Sequence, residues 1–346
     1  MSFVHLRVHS DYSLSDGLCR VKKLPGQVLE RGMPAVALTD QSNLFAMVKF
    51  YRGCLNQGVQ PIIGADVWWG RDHESAMPLT LLVQNQAGYL KLSEWLTEGF
   101  LNEQKNGRAL IKTQHFESGT EGLIALSGGL HGAVGQALLK NDESDAEGLA
   151  SQLSSWFPQR LYLEISRCGR NSEETVLHRT LALADRMGIP VVATNDVRFP
   201  DQDAFEAHET RVCIASSFTL DDSRRVRQFT DQQYLKSAAE MTELFADIPD
   251  AIENTLAIAK RISFQPQLGT YFLPEFPIPE GKTMEQFFRE LSHEGLDKRL
   301  EKILPEEPEA RAAMQTEYRT RLDFEVDVIL QMGFPGYFLI VMDFIN

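Results

Sequence analysis

A chain of 346 residues in which 43% are apolar is long enough for one large or two ordinary domains around a sizeable core, which excludes a disordered polypeptide. A net charge of −14 excludes strong non-specific attraction of the surface as a whole to DNA or anionic lipid, while leaving local basic patches open. Four cysteines stand far apart at Cys19, Cys54, Cys168 and Cys213 with no CxxC pair, nothing at the N-terminus resembles a signal peptide, and no apolar run is long enough to span a bilayer. These features read as reduced thiols in a cytoplasmic protein with no membrane partner.

The first predicted element is a strand over Phe3 to His9. Val4, Leu6 and Val8 alternate with His5, Arg7 and His9, so one face buries apolar side chains while the other lines up ring nitrogens and a guanidinium. Two histidines at i and i+2, with an aspartate from the loop beyond, are the layout of a metal site. Here Arg7 stands between His5 and His9, and a permanent cation has no lone pair to give a metal. The pattern reads as a metal-dependent hydrolase site that has been filled in.

Six further strands are predicted at Ala35 to Thr39, Pro61 to Trp69, Leu79 to Val83, Leu123 to Leu126, Leu161 to Ile165 and Pro190 to Thr194, with helical patterns between them. Apolar runs that end in a polar residue and alternate with helices are the signature of repeated βα units. Two units share their spelling. Gly32-Met33-Pro34 leads into a strand closed by Asp40, and Gly188-Ile189-Pro190 into one closed by Asp196, so that glycine caps a helix, proline opens the strand and aspartate ends it. In a barrel of parallel strands chemistry sits at the C-terminal strand ends, where this chain has His9, Asp40, Asp66, Glu164 and Asp196. Five such placements favour one shared cleft, against a reading in which each aspartate is a turn former or helix cap.

After about residue 200 the pattern becomes helical, with candidates at Gln202 to Ala215, Ala238 to Phe245 and Pro249 to Ile262. Leu273 to Pro279 reads as an extended linker, followed by charged amphipathic helices over Met284 to Leu304 and Pro308 to Met332, broken at Gly333-Phe334-Pro335-Gly336. The last residues, Tyr337 to Met342, are apolar and lack a closing turn, which suggests a segment of a longer protein.

Several stretches carry a family resemblance: His5-Leu6-Arg7-Val8-His9-Ser10-Asp11-Tyr12-Ser13, Gly64-Ala65-Asp66, Leu126-Ser127-Gly128-Gly129, Ala193-Thr194-Asn195-Asp196-Val197-Arg198-Phe199, Ala207-His208-Glu209, Leu244-Phe245-Ala246-Asp247-Ile248-Pro249, and Gln331-Met332-Gly333-Phe334-Pro335-Gly336-Tyr337-Phe338-Leu339-Ile340. Through them the whole chain resembles the N-terminal part of the bacterial DNA polymerase III alpha subunits. The resemblance implies a polymerase and histidinol phosphatase (PHP) domain over 1–270, a linker over 271–283, and the start of the polymerase core, its palm and thumb region, over 284–346. The fold class implied is α/β, a distorted seven-stranded (β/α) PHP barrel followed by a mostly helical segment.

Metal-binding members of that family hold a metal cluster on His, Asp, Glu and Cys side chains and hydrolyse phosphoesters. Matched motif to motif, this chain keeps His9, Asp16 and Asp196 and has Asp66 where a glutamate is usual. It has Arg7 for a first histidine, Gln41 for a second, Pro78 near a third, Gly129 for the cysteine and Arg198 for the last histidine. About half the ligands are lost by this comparison, and His9, Asp16, Asp66 and Asp196 become a vestigial set. Arg7 and Arg198 are then the counter-charge of the cleft, or an anion-binding pair, or solvated arginines at its mouth.

The function implied is a non-catalytic scaffold within the catalytic subunit of the replicative polymerase, one that docks the proofreading exonuclease and supports the polymerase core, with DNA contacted mainly by other parts of the protein. No catalytic residue is expected here, because the palm's aspartate motif is absent from these residues. The alternative is a residual metal-dependent phosphoesterase or pyrophosphatase using at most one weakly held divalent ion in the cleft; magnesium or manganese otherwise serves the full-length polymerase. Three smaller features stand beside these. Arg224-Arg225-Val226-Arg227 is a basic run beside Asp221-Asp222, Trp68-Trp69 should place one ring inward and one outward, and His208 is expected to orient the Asp196 loop.

Overall fold

The computed structural model describes residues 2–105, 107–270 and 274–345. Tyr271, Phe272 and Leu273, at the start of the expected linker, lie outside the described residues. The chain divides into two compact units, Met1–Pro266 and Gln267–Asn346.

The first unit alternates strands and helices. Helix α1 (Leu24–Glu30) leads to β1 (Ala35–Leu38), α2 (Met47–Gln57) to β2 (Gln60–Gly70) and β3 (Met77–Val83), and α3 (Gln86–Asn102) to the small hairpin β4 (Gln104–Lys105) and β5 (Arg108–Lys112). After α4 (Thr113–Glu117) come β6 (Leu123–Leu126), α5 (Ala133–Leu139), α6 (Glu143–Trp156), β7 (Leu161–Ser166), α7 (Glu173–Met187) and β8 (Val191–Thr194). Helices α8 (Phe205–Ser216), α9 (Ala238–Leu244) and α10 (Pro249–Arg261) follow. Gly188 ends α7 in the left-handed region at φ +64°, a conformation that costs a side-chain-bearing residue more than glycine, and the chain then turns directly into β8.

The strand order is β4-β5-β2-β3-β6-β7-β8, with β1 paired to β2. Most neighbours are parallel, as βα repeats require, but β3 runs antiparallel to both β2 and β6. The barrel is distorted from the parallel βα pattern at this strand, and the physical reason is its connection. Only a short turn joins β2 to β3, and such a turn can return the chain only antiparallel.

Residues 3–9 form an extended segment rather than a regular strand. It makes isolated bridges, His5 with Val36 and Val8 with Val197. The Ala37 and Thr39 amides donate to His5 O and Val8 O on one side, and His9 N and Val197 O pair on the other. The segment thus joins β1 to the chain beyond β8 and closes the sheet into a barrel. Its ladder is interrupted because two amides are diverted to hydroxyls: Val4 N donates to Thr255 Oγ1 at 3.1 Å and Val8 N to Thr39 Oγ1 at 3.0 Å.

Side chains two apart on a strand share a face. Ile62 and Asp66 lie on one face of β2, Leu82 and Thr80 on one face of β3, Tyr162 and Glu164 on β7, and Val192 and Thr194 on β8. The apolar member of each pair belongs to one buried cluster with Val4, Leu6 and α10's Ile258 and Ala259. The polar members lie at the other end. A larger core on the outer faces, including Phe3, Phe50, Trp95, Phe116 and Phe157, seats the surrounding helices. All four cysteines are buried.

The second unit contains α11 (Met284–Ile303), α12 (Pro308–Gln331) and α13 (Pro335–Ile345) around Phe288, Val326 and Leu339. Helix α11 begins with a reciprocal cap in which Thr283 and Gln286 satisfy each other's backbone amides. The expected break at Gly333-Phe334-Pro335-Gly336 is shorter than the sequence implies, because proline at the first helical position already starts α13. No single helix among the described residues is long and apolar enough to cross a membrane.

Candidate functional site

The polar end of the barrel holds a buried cluster of charges. Arg7, 7% exposed, projects from the closing segment. Its Nε lies 2.7 Å from Asp66 Oδ2 and 3.4 Å from Asp196 Oδ1, and its Nη1 lies 3.3 Å from Glu164 Oε1. One guanidinium therefore links carboxylates from β2, β7 and the chain beyond β8. Thr80 Oγ1 donates to Asp66 at 2.5 Å and Thr194 Oγ1 to Glu164 at 2.6 Å, which fixes both carboxylates from neighbouring strands. The pairing of β2 with β3 sets Asp66 directly opposite Thr80.

Arg198 makes a second link. Its Nη2 lies 2.5 Å from Asp196 Oδ1, while its Nη1 reaches Asp16 and His9. Asp196 sits in the left-handed region at φ +44°, a strained conformation for a side-chain-bearing residue. It is held by Arg198, by Arg170 and by Gln233, whose Nε2 donates to Asp196 Oδ2 at 3.0 Å and to Asp196 O at 3.1 Å.

The loop carrying Asp16 is folded by three other groups. Asp40 accepts from Ser10 N at 2.6 Å, Ser10 Oγ at 2.8 Å and Ser13 Oγ at 3.0 Å. His208 Nε2 meets Asp16 O at 3.0 Å, and Arg211 Nε donates to Leu14 O at 2.8 Å. At Gly17 a Cβ would lie 2.0 Å from Ser10 O, so only glycine lets this loop fold back on the segment it leaves.

Burial and partners act in opposite senses on these groups. Burial would raise the Asp196 carboxyl, but Arg198, Arg7 and Arg170 hold it well below the usual carboxylate range. Asp16 and Asp66 are lowered against burial in the same way, chiefly by Arg198 and by Arg7 respectively. For Glu164 burial prevails and its pKa rises. His9 is raised to about 9 although burial and Arg198 oppose its charge, because Asp16 and Asp66 both favour the imidazolium. Protonated His9 directs Nε2 to Asp66 at 2.8 Å and Nδ1 to Asp16 at 3.1 Å, and Arg198 is a like-charged neighbour kept there by its own carboxylates.

The structure thus brings together Arg7, His9, Asp16, Asp66, Asp196 and Arg198, the vestigial set and the two arginines of the sequence reading. Glu164, a strand-end residue, joins them. Asp40 does not: its carboxylate is taken up by Ser10 and Ser13 in the loop-forming role that strand-end aspartates also play. His208 holds two segments at once: its Nε2 meets the Asp16 backbone, and its ring packs against Phe199, three residues beyond Asp196. Arg170 and Gln233 were missed. Arg170 follows β7 much as Arg198 follows β8, a usable signal, whereas nothing local marks Gln233.

A metal does not fit this arrangement. The oxygens that would face a cation already face guanidinium nitrogens, and no group of three or more His, Cys, Asp or Glu side chains able to hold an ion occurs among the described residues. The two tryptophans divide as expected. Trp69 is buried in the core beneath the helices, and Trp68, on the opposite face of β2, is half-buried with the Arg108 guanidinium 3.9 Å above its ring.

Comparison with known proteins adds the family. The PHP domain model matches residues 5–168, and the model described as bacterial DNA polymerase III alpha NTPase domain matches residues 286–346. The chain is 50% identical to the DNA polymerase III subunit alpha of Pseudomonas fluorescens and 51% identical to that of Pseudomonas aeruginosa, in each case over 100% of this chain and 30% of the relative. A solved amidohydrolase from Chromobacterium violaceum, with bound sulfate and no metal, is 14% identical with a TM-score of 0.41, covering 61% of this chain and 97% of that one. The chain spans about 30% of the length of the curated relatives it matches, and belongs with them to the family of bacterial DNA polymerase III alpha subunits.

Proposed function

We propose that residues 1–270 are a non-catalytic PHP scaffold in the catalytic subunit of a cytoplasmic replicative DNA polymerase. In this reading the scaffold docks the proofreading exonuclease and supports the polymerase core that begins after the linker at 271–283, while DNA is engaged mainly by parts of the protein beyond these residues. The observation that carries it is the buried Arg7 guanidinium among Asp66, Glu164 and Asp196. Arg7 and Arg198, with Arg170, supply the counter-charge that divalent ions supply in metal-dependent PHP domains.

The same geometry counts against a residual phosphoesterase. A divalent ion within a few Å of these guanidiniums would be repelled, and the carboxylates would have to release their present partners to bind it. An anion gains little either, since three carboxylates already face Arg7.

The test is metal content of protein purified without chelator, measured by inductively coupled plasma mass spectrometry, beside pyrophosphate hydrolysis with and without manganese. Substoichiometric metal, no hydrolysis, an unshifted melting curve with manganese, and co-elution with the purified exonuclease on a sizing column are the expected results. One tightly held ion with hydrolysis lost in Asp16→Ala or Asp196→Ala would overturn the scaffold reading.

A further inference from the structure

Away from the charge cluster, a cavity of about 380 Å³ opens between the end of β2, the start of β3 and helices α5 and α6. That volume lies within the range of roughly 300–1,000 Å³ typical of small-ligand sites. Its walls are apolar where Trp69, Met77, Ala137 and Leu149 line it. Trp69 is 6% exposed, and its indole Nε1 has no hydrogen-bond acceptor among the described residues.

The rim has the opposite character. Arg71 and Lys140 line the cavity, both exposed, and neither makes an ion pair among the described residues. Asp145 is the one carboxylate in the lining, so the lining carries one net positive charge in a chain whose net charge is −14. The arginines of the charge cluster and several around the barrel, by contrast, are tied to carboxylates, as Arg7, Arg31, Arg167, Arg170, Arg198 and Arg225 are. Two unpaired cations beside an aromatic wall form a surface complementary to a molecule with an apolar body and an anionic end.

We propose that this cavity binds a small organic acid, with its ring or branched chain against Trp69, Met77 and Leu149 and its carboxylate between Arg71 and Lys140. The site is separate from the charge cluster and does not depend on the scaffold reading. A bound carboxylate offsets the exposed charges while the apolar body covers the wall that α5 and α6 leave open.

The experiment follows the indole N–H resonance of Trp69 in a proton–nitrogen correlation spectrum of the whole chain, assigned through Trp69→Phe, during titration with naphthylacetate. Naphthylacetamide, of the same shape without the charge, is the matched probe. The expected result is a saturable shift with the acid and binding weaker by about tenfold or more both for the amide and in Arg71→Ala/Lys140→Ala. Both substituted side chains are exposed and unpaired, so the double variant should keep its melting temperature; Ala137→Leu, which narrows the cavity without touching charge, should weaken acid and amide alike. No saturable shift, equal affinity for acid and amide, or undiminished binding in the double variant would overturn the proposal.

Discussion

Arg7→Ala removes the cation shared by Asp66, Glu164 and Asp196 and strands buried carboxylates, so the chain should lose roughly 3–5 kcal/mol of stability in urea denaturation. An unchanged denaturation midpoint would mean that Arg7 has no structural role. His9 adds a pH dependence. Its folded pKa of about 9 lies above the ordinary 6.5, so its contribution is complete below pH 6.5 and is lost as pH rises towards 9. Asp16 and Asp196 act in the other sense, being lowered, and their contribution is lost as pH falls below the ordinary 3.8. Melting temperature should therefore decline between pH 6.5 and 9 in the native chain and lose that slope in His9→Gln. The cluster was legible at this scale because histidine and arginine at alternating positions and acids at strand ends are local signals. Asp40 carries the same signal as Asp196, and only the fold separates the loop-forming aspartate from the one held by guanidiniums.

At the scale of elements, the closure of the barrel rests on few bonds, and one can be tested alone. Thr255 Oγ1 accepts from Val4 N and itself donates to Ile252 O at 2.7 Å, deep within the structure. Thr255→Val keeps the shape but leaves the Val4 amide buried and unpaired, which should cost about 1–3 kcal/mol. If hydrogen exchange at Val4 and Val8 stays as slow as in the native chain, the closing segment is held by other means. Most strands were readable because apolar runs ending in a polar residue are distinctive. The direction of β3 was not, since an apolar run carries no orientation. The hairpin of β4 and β5 escaped because Gln104–Lys105 is polar and short, and its position is set by the register of β5 on β2. The irregularity of residues 3–9 was also hidden, because it arises from hydroxyls of Thr39 and Thr255 far along the chain.

At the largest scale, the four buried cysteines, all within the first unit, offer a measure of that unit's global opening. Burial raises Cys54 and Cys168 to about 12 and Cys19 further, so thiolate is scarce in the folded state. An aromatic disulfide reagent should modify none of the four thiols in the native chain and all four in denaturant. Fast reaction of one thiol under native conditions would reveal a local opening that the packing does not imply. The closing segment also sets an order of events during synthesis. The Val4 amide and its partner Thr255 are 251 residues apart, so at about 5–20 residues per second the segment waits roughly 10–50 s before the group that completes its pairing exists. During that interval its alternating apolar side chains have no barrel to enter, and the ribosome-bound chain is a client for whatever shields nascent polypeptides from one another.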